Sequence, residues 1–346
     1  MTNVLDRLER SLGDGGSGTD ERVYDITIIG GGPTGLFAAY YAGERDMSCK
    51  IIESLNQLGG QPAALYPEKT IYDVAGFPEV LAKDLVARLV EQALQRNPTV
   101  CLGEEVLHIT QEADGVFRLE TTKGVHFSRS VLVAAGVGAM TPRKLRVPGA
   151  EALEGRGLAY QVDSLESYQG ARVLVVGGGD SAVDWALMLE PVAREVVLIH
   201  RRHGFRAHES SVKRLKASGV RVMTPYELRA LHGDGRVTGA TIFHNQTDEE
   251  EELELDHVVV SIGFEMDLGP IRTWGLAMDD QGIVVDTRMA TSIPGIFAAG
   301  DLVSYPGKVK LIATGFGEAA TAVNNAKIFV DPEARLFAGH STSRKR

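Results

Sequence analysis

Cysteine is nearly absent from this chain. In 346 residues only Cys49 and Cys101 occur, far apart and with no Cys-x-x-Cys pair, so a disulfide framework is excluded and a reducing cytoplasmic setting fits. Positive charge is in deficit as well. Lys and Arg total 36 against 46 Asp and Glu, a net charge of −10 that argues against a nucleic-acid partner. It also argues against a strongly acidic partner unless a local basic patch receives it. Long apolar runs are missing, and no secretory leader precedes the first strand pattern; the expectation is a soluble, cytoplasmic protein with no membrane association. No metal site is expected. What is present is ordinary for a globular protein: 44% hydrophobic and 24% charged residues, at a length that predicts two or three domains.

The most informative stretch runs from Tyr24 to Glu53. A short apolar β-pattern at Ile26–Ile29 meets Gly30-Gly31-Gly32-Pro33-Thr34-Gly35, a small-residue helix pattern follows, and a second β-pattern at Cys49–Ile52 ends on Glu53. These are the parts of a dinucleotide-binding βαβ unit in their order. Gly30 serves the tight turn, Gly32 lets backbone N–H groups approach a pyrophosphate, and Gly35 lets helix and strand pack closely. The pyrophosphate is expected at the helix N-terminus. Glu53, 23 positions after Gly30, can accept hydrogen bonds from ribose hydroxyls.

The pattern then starts again. Val173–Val176 leads into Gly177-Gly178-Gly179-Asp180-Ser181, and Val196–Ile199 leads into His200-Arg201-Arg202. The spacing from Gly177 to His200 is again 23 positions, so the chain carries an internal duplication of nucleotide-binding units. Copy one is 20 residues longer between its corresponding glycines, the length of an irregular insertion near 55–77. That insertion is expected to serve the ligand of copy one. Each copy also carries a hairpin pattern, around Lys123-Gly124 and around Gly233–Gly235. An apolar face at helical spacing predicts a helix over 81–96.

The two copies differ where specificity is set. A carboxylate at the end of the second strand repels a 2′-phosphate, whereas guanidinium groups bind it through charge-assisted hydrogen bonds. Copy one should take an unphosphorylated adenosine, as in FAD or NAD, and copy two NADP(H), with Arg206 a further member of the basic group. The bland alternative for Arg201-Arg202 is a solvated basic turn. Asp301 follows the strand pattern Gly295–Gly300 and suits a hydrogen bond to a flavin ribityl hydroxyl; alternatively it caps the following helix, read over 314–328. The N-terminus of that helix can favour a reduced, anionic flavin. Residues 1–22 are polar and read as a flexible tail. The expected domains are 23–142 plus 264–346, and 143–263.

These two fingerprints, His200-Arg201-Arg202 and GIFAAGD at 295–301 together resemble the thioredoxin-reductase-like flavoproteins over roughly residues 24 to 343. Thioredoxin reductases carry a Cys-x-x-Cys just after the Gly155-Arg156-Gly157 seen here, but this chain has Gln161-Val162-Asp163-Ser164, so a dithiol relay is excluded. Five segments are similar instead to the ferredoxin–NADP+ reductases of the thioredoxin-reductase-like type: GGQPAALYPEKTIYDVAGFP at 59–78, GGGDSAVDWA at 177–186, YPGKVKLIATGFGEAA at 305–320, AVNNA at 322–326 and HSTS at 340–343.

The resemblance implies an α/β fold of two Rossmann-like, three-layer ββα domains. It implies FAD contacts from Thr34, Glu53, Gln61, Tyr66, Val106, Met140, Asp301 and Ser343, with Tyr66 and His340 on the two flavin faces. It implies a homodimer that exchanges single electrons with ferredoxin, or a flavodoxin-like carrier, and hydride with NADP(H), with no residue acting as general acid or base. Two other enzyme readings share the site, an NADPH-dependent diaphorase or quinone reductase and a flavodoxin reductase. A flavin redox sensor without turnover is a reading of another class. Because ferredoxins are usually acidic, a basic docking patch is needed; Arg143, Lys144 and Arg146 are one choice, Lys308 and Lys310 another.

Overall fold

The computed structural model describes residues 4–12, 18–337 and 339. The chain divides into two compact units: residues 1–64, 70–139 and 267–346 form the first, and residues 65–69 and 140–266 the second.

The first unit is built on a five-stranded parallel sheet in the order Ile296–Ala298, Val131–Val133, Ile26–Ile29, Cys49–Glu53, Thr99–Leu102. Its strands are short runs of branched apolar residues, and those of the two centre strands are buried along their whole length, as expected of a sheet covered on both faces. The helices Pro33–Glu44, Ala82–Leu94 and Ile312–Val330 contribute Leu36, Ala38, Leu85, Leu89 and Ala322 to the same core as Ile28 and Ile51. A four-stranded sheet, ordered Gly18–Tyr24, Gly124–Ser128, Phe117–Thr121, Val106–Gln111, adds Phe117 and Leu119 to that core.

Residues 4–12 and 18–22 correct the reading of a flexible tail. Val4–Ser11 is a helix whose Leu8 packs on the core, and Gly18–Tyr24 pairs in parallel with Gly124–Ser128. A sheet edge recruits a strand through backbone hydrogen bonds, so polar side chains do not prevent it. Asp20 of this strand reaches the buried ammonium of Lys50, at 2.6 Å.

The second unit repeats the plan. Its parallel sheet runs Leu158–Ala159, His257–Ser261, Arg172–Gly177, Glu195–Ile199, Arg221–Met223. Strand alternation divides its core in two. Leu174, Val176, Val197 and Ile199 face Leu228, Ala240 and Ile242 of an antiparallel sheet, Tyr226–His232, Gly239–His244 and Glu250–Glu254. Val173, Val175, Val196 and Leu198 face Ala182, Trp185 and Leu189 of helix Asp180–Leu189 and Leu215 of helix Glu209–Ala217. Helices, parallel sheet and small antiparallel sheet thus make three layers, and the fold class read from the sequence is the one observed.

The acidic run at 248–254 is edge strand and turn, with Asp248 and Glu250 paired to Arg229 and Glu251 to Arg221. Among the described residues, no helix is long and apolar enough to cross a membrane.

Candidate functional site: two dinucleotide cradles

In the first unit the chain leaves strand Ile26–Ile29, turns at Gly30 and enters helix Pro33–Glu44. Gly30 has φ +108°, and a Cβ there would lie 2.5 Å from the Ala134 carbonyl oxygen, so no side chain fits. A Cβ on Gly35 would collide with the Gly30 carbonyl oxygen, which is why helix and turn can lie so close. Gly32, the N-cap, is extended and supplies no side-chain cap, leaving the first-turn N–H groups of a 12-residue helix for a ligand. The space before it is open, with the nearest atom, Gly60 Cα, 3.8 Å from where a Cβ would stand.

Glu53 is buried and fixed. Its Oε2 accepts from Gly31 N–H at 2.6 Å, and its Oε1 accepts from Leu55 N–H at 2.8 Å and Ser54 Oγ at 3.3 Å. One lone pair of Oε2 stays free for a ribose hydroxyl. A pyrophosphate at the helix end and an unphosphorylated ribose at Glu53 therefore fit these residues.

Three further groups predicted for this ligand join the same unit. Gln61, in the short helix Gly60–Ala64, puts Nε2 3.4 Å from the Cβ position of Gly136. Val106 is buried at the start of its strand. Asp301 lies in the turn after Ile296–Ala298; since helix Ile312–Val330 has Leu311 as its N-cap, Asp301 does not cap it. Burial pushes the Asp301 carboxyl above its ordinary range, against the pull of Lys308 and Lys310. Thr34 approaches both Gly300 and Gly315, so the fingerprint, the Asp301 turn and the long helix converge.

The other predicted contacts fall in the second unit or outside the described residues. Leu65–Lys69 groups with the second unit although its sequence position lies within copy one. Tyr66 packs on the core holding Trp185, and Lys69 Nζ lies 3.1 Å from Asp184 Oδ2 and 3.3 Å from Ser181 Oγ. These contacts tie the segment to the second fingerprint helix. Met140 is in strand Ala139–Pro142, which pairs with Phe264–Asp267; only its backbone is described. His340 and Ser343 lie outside the described residues.

The second cradle has the same construction. Gly179 is the extended, uncapped N-cap of helix Asp180–Leu189, and no atom of the described residues stands within 4 Å of its Cβ position. A Cβ on Gly177 would collide with the Ser261 carbonyl oxygen, and one on Gly178 with the His200 ring. Asp180 Oδ1 accepts from His208 N–H at 2.8 Å, and Arg206 N–H donates to the Gly178 carbonyl at 2.8 Å. Together Asp180, Arg206, His208 and Glu209 line a cleft of about 520 Å³ beside the glycine turn.

His200 stacks on Phe205 with ring centroids 5.3 Å apart, and its Nε2 is buried with no partner among the described residues. Burial, with Arg201, Arg202 and Arg206 nearby, lowers its pKa, so the imidazole is neutral near pH 7. The positive charge of this cradle therefore comes from Arg201, Arg202 and Arg206, all exposed. An orphaned ring nitrogen, free N–H groups and three guanidiniums fit a 2′-phosphorylated dinucleotide.

Sequence reasoning missed one group. Glu318, on the long helix, accepts from Gly300 N–H at 2.8 Å, from Tyr305 OH at 2.6 Å and from Lys308 Nζ at 2.5 Å. Only the single Glu and the two Lys of the 305–320 segment signal it, and the sequence alone offers Lys308 as a docking charge. The structure corrects that: its side chain is 5% exposed, which leaves no surface for a partner.

The chain matches the pyridine nucleotide-disulphide oxidoreductase family over residues 24–326. It is 59% identical over 324 residues to a protein of Halalkalibacterium halodurans named ferredoxin--NADP reductase, covering 93% of this chain and 98% of that one. A Bacillus subtilis protein named ferredoxin--NADP reductase 2 is 54% identical, with 94% and 98% covered. Among solved structures, the thioredoxin reductase of T. acidophilum superposes with a TM-score of 0.75 at 27% identity, covering 89% of this chain and 98% of that one. The Lactococcus lactis thioredoxin reductase gives the same TM-score and identity, with 89% and 99% covered.

Proposed function

The chain belongs to the pyridine nucleotide-disulphide oxidoreductase family, and from that premise we propose that it is an FAD-dependent ferredoxin–NADP+ reductase. FAD belongs to the cradle of Glu53 and Asp301, and NADP(H) to that of Arg201, Arg202 and Arg206. The observation that carries the reading is the contrast between two cradles of one construction, a carboxylate ending the second strand in one and a basic cluster in the other. The near-complete coverage of relatives named ferredoxin--NADP reductase supports the carrier. With only two cysteines and no pair of them in sequence, nothing supports a dithiol acceptor.

FAD, when bound, exchanges electrons singly with the carrier and in pairs, as hydride, with the nicotinamide. The chain's own work is binding, orientation and exclusion of water. The Gly32 and Gly179 helix ends hold the pyrophosphates, Glu53 holds the flavin adenosine, and the arginines select the phosphorylated nicotinamide cofactor. Tyr66 and His340 are assigned to the two flavin faces, and Gln61, Val106, Met140 and Ser343 to flavin contacts. A homodimer completes the reading, and the near absence of cysteine supports a reducing cytoplasm.

Stopped-flow mixing with NADPH, then steady-state turnover with ferredoxin and cytochrome c as terminal acceptor, tests it. Rapid flavin bleaching and ferredoxin-dependent cytochrome c reduction are expected. Fast bleaching that ferredoxin does not exploit would indicate a diaphorase or a flavodoxin-type carrier. No bleaching by NADPH would remove NADP(H) from the second cradle.

A further inference from the structure

Behind the Gly300–Asp301 turn lies an ion pair that electron transfer does not require. Glu318 and Lys308 are each only 5% exposed in their side chains, and their charged atoms are 2.5 Å apart. Buried ion pairs are poor sources of stability, because desolvation offsets most of the attraction. A fully hydrogen-bonded one, however, rigidifies whatever it holds.

This one is fully engaged. Glu318 Oε2 takes the Gly300 N–H at 2.8 Å, while Oε1 takes Tyr305 OH and Lys308 Nζ. The Tyr305 hydroxyl is held as a donor, its pKa pushed up to about 12 by burial and by Glu318. Gly300, whose N–H Glu318 holds, directly precedes Asp301. On its other side the turn abuts the first fingerprint, with Thr34 Oγ1 3.0 Å from the Cβ position of Gly300. Asp301 is thus carried on a turn clamped between two helices, at a place where a carboxylate is costly to bury.

We infer that Glu318, Lys308 and Tyr305 are positioning residues that fix the Gly300–Asp301 turn so that the Asp301 carboxylate meets the polyol chain of bound FAD. The inference rests on the FAD reading of this unit. Glu318 and Lys308 act on Asp301 with opposite sign, the pull of Lys308 being the larger and that of Lys310 adding to it, so the pair holds the turn without burying a lone carboxylate beside Asp301. Removing Lys308 alone leaves an uncompensated buried carboxylate that repels Asp301 and frees the turn. Changing Glu318 to Gln along with it restores neutrality and keeps an acceptor for Gly300 N–H.

The test uses the full-length holoprotein with Lys308→Met, Glu318→Gln and the double variant. Three quantities are read: the FAD dissociation constant, the visible circular dichroism of bound flavin, and hydrogen exchange of the amides around Gly300 in the apoprotein. Lys308→Met should weaken FAD about tenfold or more, alter the flavin dichroism and speed exchange at the turn, as expected for stranding one partner of a buried pair. The double variant should recover FAD affinity to within about threefold of wild type, because the remaining groups are again paired. NADP+ affinity should not move. If Lys308→Met does not fold, Glu318→Gln decides, with altered flavin dichroism and faster exchange at the turn expected. Unchanged FAD affinity and dichroism in the variants, whatever their melting temperatures, would reduce the group to structural support and overturn the inference. A wild-type chain that takes up no FAD would instead overturn the functional reading, and the inference with it.

Discussion

Lys50 has no exposed surface, yet its ammonium lies 2.6 Å from Asp20 Oδ2 and 2.7 Å from His126 Nδ1. An ammonium can only donate, so Nδ1 accepts and the Nε2–H donates to Glu104 Oε1 at 2.7 Å, which fixes a neutral tautomer. Replacing Lys50 by Met should lower unfolding stability by about 3 kcal/mol in urea titrations, with partial recovery on adding Asp20→Asn. The pH dependence has a definite sign. Burial works against both carboxyls, but Lys50 holds Asp20 and the His126 and Thr121 hydrogen bonds hold Glu104 below the ordinary range. Their stabilisation is therefore complete above the unfolded carboxylate values near ~4 and is lost as pH falls through the lower folded values. Asp20→Asn should flatten that acid limb. None of this was legible in the sequence, since Lys50 has partners 30 and 76 residues away and follows no period. The placement of Arg201 and Arg202 just past the end of the second strand was legible, because a fixed distance from a glycine turn marks it. Changing either to Ala should raise the NADPH dissociation constant roughly tenfold or more, as loss of a charge-assisted hydrogen bond predicts, and leave NADH binding unchanged.

Elements were readable where their grammar is local. Both βαβ units, the hairpin at Lys123-Gly124 and the helix at Ala82–Leu94 follow from glycine positions and apolar spacing within a few dozen residues. The strand Gly18–Tyr24 does not, because its reason for existing is an edge more than a hundred residues away. The Leu65–Lys69 segment is a second case, since Lys69 reaches Asp184 and Ser181 more than a hundred residues away. The small-residue pattern marks helix Pro33–Glu44, a helix is read over 314–328 where Ile312–Val330 stands, and the structure gives the reason that both are rich in alanine. Ala38, Ala42, Ala319, Ala322 and Ala326 are all fully buried within one core, leaving room for nothing larger. Ala322→Leu should therefore destabilise the protein by about 1–3 kcal/mol through overpacking. Measured by urea unfolding, the loss should be accompanied by weaker FAD retention, since the same helix carries Glu318.

At the scale of the whole molecule, a net charge of −10 must be reconciled with an acidic electron carrier. Long-range repulsion lowers the encounter rate, so the docking face must present local positive charge. Lys308 is unavailable, buried against Glu318, and Lys144 pairs with Glu154 while lying 4.3 Å over the Tyr160 ring. Lys310 is exposed but its ammonium donates to the Gln281 carbonyl at 3.3 Å, whereas Arg143 and Arg146 are exposed with no ion-pair partner among the described residues. Reversing both, Arg143→Glu with Arg146→Glu, should raise the KM for ferredoxin about tenfold at low salt. The wild-type rate should fall with ionic strength as exposed charges are screened beyond about 10 Å, and the variant should show little such slope. Ferricyanide reduction by NADPH should be unchanged in the variant, since that small acceptor needs no protein docking face. An unaltered ferredoxin KM would move the docking face away from these arginines while leaving both nucleotide cradles as assigned.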